Sequence, residues 1–193
     1  IASYGENSFT INANKSDDNS GRVMYIGQKA NVTLRNVNIK GGNLTDDNGG
    51  AIYCSGTLNL VNSTISNSKA KNGGGIYIEN GTFTMNGGTI SDCSASKGGG
   101  VCIFGGNFTM NNGVEISNCT GDYAGGIIIY TGGTFTMNDG ATISTCTSLR
   151  YGGGVVVYDS DDENSGAGGT FNMAGGTISD CTVEYGCGGG VYV

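Results

Sequence analysis

The chain of 193 residues contains no His, so its chemistry rests on carboxylates, thiols and hydroxyls. Without imidazole there is no His base, no His metal ligand and no Ser-His-Asp or Cys-His triad. The densest acidic cluster is Asp159-Ser160-Asp161-Asp162-Glu163, with four carboxylates in five positions. Hard oxygen donors at that density make Asp159, Asp161, Asp162 and Glu163 a candidate calcium site. The spacing is not that of an EF-hand, and a solvated surface loop accounts for the same residues. No other cofactor is implied. The smaller pairs Asp17-Asp18 and Asp46-Asp47 read as solvated surface.

The cysteines number seven. Four of them, Cys93, Cys119, Cys146 and Cys181, each follow an Ile by three residues: Ile90, Ile116, Ile143 and Ile178. Equivalent positions in successive repeats would form a column of thiols about 4.8 Å apart. That separation permits a disulfide, but parallel side chains pointing the same way disfavour its dihedral angle. A buried thiol ladder, an inter-coil disulfide and a metal or redox site all remain open. Cys54 takes an inward aliphatic position, Cys102 an outward one, and Cys187 lies at a corner.

These residues are positioned by a repeat. Gly49-Gly50-Ala51-Ile52-Tyr53-Cys54 recurs at Gly73, Gly98, Ala124, Gly152 and Gly188, at spacings of 24, 25, 26, 28 and 36 residues. The longest spacing contains the acidic cluster. A second piece reads Thr82-Phe83-Thr84-Met85-Asn86, Asn107-Phe108-Thr109-Met110-Asn111 and Thr134-Phe135-Thr136-Met137-Asn138. A third reads Thr89-Ile90-Ser91, Glu115-Ile116-Ser117 and Thr142-Ile143-Ser144. All three alternate apolar and polar residues with period two, and Gly or Asn separates them, which is the strand signal. Pieces this short cannot stand as hairpins. Stacked on their equivalents, they predict an all-β fold, a right-handed parallel β-helix of about six coils with three short strands each. Inward positions hold Ile76, Ile78, Phe83, Met85 and Ile90, and the glycine triplets suit corners with φ > 0.

Residues 1–20 read as an N-terminal cap or incomplete coil, in which Ser8-Phe9-Thr10-Ile11 resembles one strand. Residues 21–193 form the repeats. Val191-Tyr192-Val193 opens a coil that does not close, so the C-terminus is expected to be truncated, with end-to-end self-contact or fraying there.

One outward face is uniform. Its two columns, Asn31/Thr57/Thr82/Asn107/Thr134/Thr170 and Thr33/Asn59/Thr84/Thr109/Thr136/Asn172, hold only Thr and Asn. Good β-surface chemistry explains the pattern, since Thr favours strands and stacked polar side chains hydrogen-bond between coils. The functional reading is a flat recognition face for ice or glycan, with Thr33, Thr57, Thr82, Thr84, Thr109, Thr134, Thr136 and Thr170 as binding residues. Tyr25, Tyr53, Tyr77 and Tyr192 lie outward on another strand, as a possible stacking platform. For a β-helix polysaccharide lyase or hydrolase, carboxylates would have to cluster on one face. Asp92 and Asp180 share a column but sit three coils apart, too far for a paired acid and base.

The repeat resembles that of the polymorphic outer-membrane proteins of bacteria, written GGA[ILV] with FxxN. Gly49-Gly50-Ala51-Ile52 matches the first motif, and Phe83-Asn86, Phe108-Asn111 and Phe135-Asn138 match the second. Phe171 is followed by Ala174, so that copy lacks the Asn. The resemblance implies a right-handed parallel β-helix and a cell-surface or secreted, often adhesive, passenger region. Host or surface proteins and glycans would then be its partners.

Composition agrees with a folded rod. Glycine supplies 38 residues, Pro and Trp are absent, charged residues are 13% and apolar residues 37%. A net charge of −7 argues against nucleic acid. No apolar run reaches the roughly 18 residues of a membrane-spanning helix. The expectation is a non-enzymatic extracellular or cell-surface segment, adhesin-like, that presents or spaces a binding surface.

Overall fold

A computed structural model describes residues 8–13, 21–158 and 168–193. Every regular strand pairing in it is parallel and joins one coil to the next, so the chain is an all-β parallel solenoid. Three walls enclose the core. The first contains Met24–Ile26, Ile52–Cys54, Ile76–Glu79, Val101–Phe104, Ile127–Tyr130, Val155–Val157 and Val191–Tyr192. The second has eleven strands and unites the second and third pieces of each repeat. In Thr57–Ser66 and Thr82–Ser91 these two pieces form a single ten-residue strand. The third wall comprises Lys69–Asn72, Ser94–Lys97, Thr120–Gly121, Thr147–Ser148 and Thr182–Val183.

Two details differ from the sequence expectation. The three walls do not correspond to the three sequence pieces, because two pieces share a wall and the third wall is new. Its strands are short and carry Ser, Ala, Thr and Lys, so no apolar alternation announces them. The stack makes about five turns, slightly fewer than the six coils expected. Its first coil has only isolated bridges, Asn43↔Lys69 and Asn48↔Asn72, where later coils have a third-wall strand. Phe9–Asn12 adds a rung at this same end, paired with Val37–Lys40.

The core follows from register. Ile76, Ile78, Phe83, Met85 and Ile90 are all fully buried, as the alternation requires. Phe83, Phe108, Phe135 and Phe171 form one internal column, with ring centroids 4.6, 5.3 and 5.1 Å apart. Leu58 and Val32 continue it in the earlier coils.

The corners require two different properties of glycine. Gly73 has φ 61°, a left-handed conformation. Its neighbour Gly74 does not; there a Cβ would lie 2.4 Å from the Ser94 carbonyl oxygen and 2.5 Å from that of Gly99. The triplet is thus a close approach between backbones of successive coils as much as a turn. Between the second and third walls the corner is left-handed at Asn67, Asp92, Asn118, Thr145 and Asp180, with φ from 51° to 54°. Asn and Asp tolerate that region better than other side chains.

Burial declines along the last coil. Val157, Phe171, Ile178 and Cys181 are only partly buried and Met173 is 49% exposed. Position in the stack should therefore set the cost of truncating the same residue type. Phe108→Ala is expected to cost about 3–5 kcal/mol, and Phe171→Ala measurably less. Urea unfolding of the two variants checks this; equal losses would contradict the packing described.

Candidate functional site

The Thr/Asn face exists as a geometric object. Asn31 pairs with Thr57, Thr57 with Thr82, Thr82 with Asn107, Asn107 with Thr134 and Thr134 with Thr170. The neighbouring column runs Thr33, Asn59, Thr84, Thr109, Thr136 and Asn172 in the same strands. The structure thus brings together all eight threonines singled out from the sequence. Thr33, Thr82 and Thr170 are exposed, and Thr57, Thr84, Thr109, Thr134 and Thr136 half-buried. Parallel pairing keeps the columns straight, and alternate residues point outward about 7 Å apart along each strand. A third column beside them is tied internally: Asn138 Nδ2 donates to Asn111 Oδ1 at 2.7 Å, and Asn111 Nδ2 to Asn86 Oδ1 at 2.9 Å. The Asn of the FxxN pattern is therefore a strut of this wall.

The acidic candidates Asp159, Asp161, Asp162 and Glu163 lie outside the described residues. Among the described residues no three His, Cys, Asp or Glu side chains group as a metal site. Asp92 and Asp180 occupy the left-handed corner column, and their residue type is accounted for by backbone conformation.

All seven cysteines are free thiols. Cys93, Cys119 and Cys146 are buried in the core, and Cys181 is partly buried. Cys93 Sγ donates to the Ser91 carbonyl at 3.2 Å and Cys119 Sγ to that of Ser117 at 3.4 Å. Ser68 fills the same position one coil earlier and donates to the Ser66 carbonyl at 3.0 Å. The column is therefore a hydrogen-bonded corner element that accepts either a thiol or a hydroxyl. Hydrogen bonding to Cys119 raises the Cys146 thiol to about 12. Burial raises Cys54 to about 11 and Cys102 to about 12.

The outer side of the first wall departs from expectation. Tyr77, Cys102, Ile128 and Val156 point away from the core, yet Ile128 and Val156 are fully buried, and Tyr77 and Cys102 are 7% and 2% exposed. Tyr53, Tyr123, Tyr130, Tyr151, Tyr158 and Tyr192 pack over them and create a second apolar cluster. The tyrosines are also a poor open platform. Tyr25 and Tyr53 stack with centroids 5.1 Å apart, and Tyr53 packs against Tyr77 at 5.3 Å with the rings tilted by 36°, so these rings are engaged with one another. Arg22 lies over Tyr25 and Tyr53 and pairs with Asp47 at 2.8 Å. The sequence signal for this covering layer was the run of tyrosines at 123, 130, 151 and 158, on either side of the repeated apolar strand.

Two of the surface depressions bear on the walls already described. A groove of about 470 Å³ runs along the third wall, lined by small residues including Ala70, Ala95, Gly121 and Ser148. A smaller cleft of about 130 Å³ opens over the first wall, lined by Asn72, Tyr77, Lys97, Cys102, Phe104 and Tyr130. No family model, curated protein or solved structure matches the chain.

The thiols make a direct test. In the native protein Cys187, which is exposed, should react fast with a thiol reagent and Cys181 slowly, the other five only on unfolding. Because Cys54, Cys102 and Cys146 ionise well above the usual 9.0 when folded, the unfolded chain loses those protons first as pH rises. Their contribution to stability is complete below about pH 9 and is lost by about pH 12. The urea midpoint should therefore fall between neutral and strongly alkaline solution; an unchanged midpoint would refute the burial of these thiols.

Proposed function

We propose that this chain is a non-enzymatic segment of a bacterial cell-surface or secreted rod, adhesin-like, that presents the Thr/Asn wall as a binding surface. The observation that carries the reading is the wall itself: twelve uncharged Thr and Asn side chains in two in-register columns. Such a surface offers many equivalent weak donors and acceptors, and a ligand with its own repeat gains by engaging several at once. The resemblance of the GGA[ILV] and FxxN repeats to bacterial surface proteins supports the location and the adhesive role.

A second reading is favoured by the same regularity. A two-dimensional grid of hydroxyls and methyls suits an ordered lattice such as ice, or a flat glycan. The readings separate in the laboratory. Thr84→Lys, Thr109→Lys and Thr136→Lys together place three like charges in one column without touching the core. The triple variant should keep the fold by circular dichroism and lose adhesion to host cells or surfaces coated with host protein by about tenfold or more. Unchanged adhesion would exclude the wall as the binding surface. Inhibition of ice recrystallisation by the unmodified chain, abolished in the same variant, would establish the second reading instead.

A further inference from the structure

The cleft over the first wall brings an unpartnered hydroxyl next to a cation. Tyr130 has a buried hydroxyl with no hydrogen-bond partner among the described residues. An unsatisfied buried hydroxyl costs about 1–3 kcal/mol, so it calls for an explanation. Beside it stands Lys97, whose ammonium lies 5.0 Å from the Tyr130 ring centroid and 5.7 Å from that of Tyr123. The one ion pair among the described residues joins Arg22 to Asp47, so among them Lys97 has no carboxylate partner.

The surroundings select the ligand. Burial raises the Tyr130 phenol, which keeps it a hydrogen-bond donor across the working pH range. Two carboxylates on adjoining segments are engaged elsewhere: Glu79, paired with Phe104 one coil earlier, accepts from the Tyr53 hydroxyl, and Asp122 accepts from Ser96. Phe104, stacked on Tyr77 with centroids 6.4 Å apart, is still 39% exposed and leaves apolar surface open to solvent. A cleft of about 130 Å³ has room for about four waters at about 30 Å³ each. That accommodates a carboxylate and the ring atom bearing it, while the rest of a pyranose would lie on Phe104.

We propose that this cleft is a binding site for an acidic sugar, with the carboxylate held by Lys97 and the Tyr130 hydroxyl and the sugar ring packed on Phe104. The site lies on a different wall from the Thr/Asn face, so it stands or falls independently of the function proposed for that face.

The test is an NMR titration of the 193-residue chain with D-glucuronate, the neutral methyl glucoside, acetate and an aspartate-rich peptide. Glucuronate should give saturable shifts at Lys97, Phe104 and Tyr130 with a millimolar dissociation constant. The other three should bind at least about tenfold more weakly. Lys97→Met should abolish the response. Tyr130→Phe should weaken it about tenfold while raising the thermal midpoint, because it removes an unpaired hydroxyl and keeps the ring. Equal binding of the glucoside, acetate or peptide overturns the assignment to an acidic sugar. Glucuronate shifts that survive Lys97→Met, or no shifts at all, overturn the site. Should Lys97→Met fail to fold, Tyr130→Phe decides alone: unchanged affinity overturns the role of the hydroxyl and with it the proposal.

Discussion

Parallel, in-register pairing between coils forces every side chain to meet its own equivalent about 4.8 Å above and below. Most of the composition follows from that constraint. Apolar side chains profit from it, as the Phe column does, because stacked rings gain contact area at every step. Amides profit because one side chain donates to the next, as Asn138, Asn111 and Asn86 do. Charges do not. Two like charges at that distance repel by nearly 1 kcal/mol even in water, and the penalty recurs at every rung. A chain built this way keeps its charged residues few and interrupts them, as Asn118 and Thr145 interrupt the column of Asp92 and Asp180.

The same constraint decides the backbone. Successive corners must superimpose, so a conformation adopted in one coil is imposed on all. The left-handed corner is filled by Asn or Asp where possible, and even Thr145 is held there at φ 52°. A β-branched residue in that region is costly. Thr145 makes a local gain by donating to Asn118 Oδ1 at 2.8 Å. At the glycine triplets the limit is steric, since the Gly74 position leaves no room for a Cβ beneath the next coil.

What was legible in the sequence was therefore whatever repeats with a strong apolar period. Phe108, Met110 and Ile116 announce both strand and inward face, and their columns are those observed. The Thr/Asn wall was legible for the same reason, because it is the complementary half of the alternation. The third wall was not, since Ser94-Ala95-Ser96-Lys97 carries no apolar period and its strand exists only because neighbouring coils supply partners. Nor was the tyrosine layer. Period two places Ile128 on the outside correctly, but it cannot say that Tyr123 and Tyr130 will fold back over it. Local alternation reports the direction of a side chain; only tertiary packing reports whether that direction leads to water.

This distinction bears on function. A solenoid has two ways to recognise a ligand. On a flat wall the repeat itself is the signal, no single residue is decisive, and strength comes from number. In a depression the repeat must be broken so that unlike residues meet. The cleft on the first wall is such a break: its column runs from Tyr77 through Cys102 to Ile128, and the strand end changes from Glu79 to Phe104 to Tyr130. Among the described residues, only there does a cation stand beside an unpaired hydroxyl and an exposed ring. In a structure whose columns are otherwise conservative, the places where equivalent positions differ most are where selectivity for a single ligand can be built.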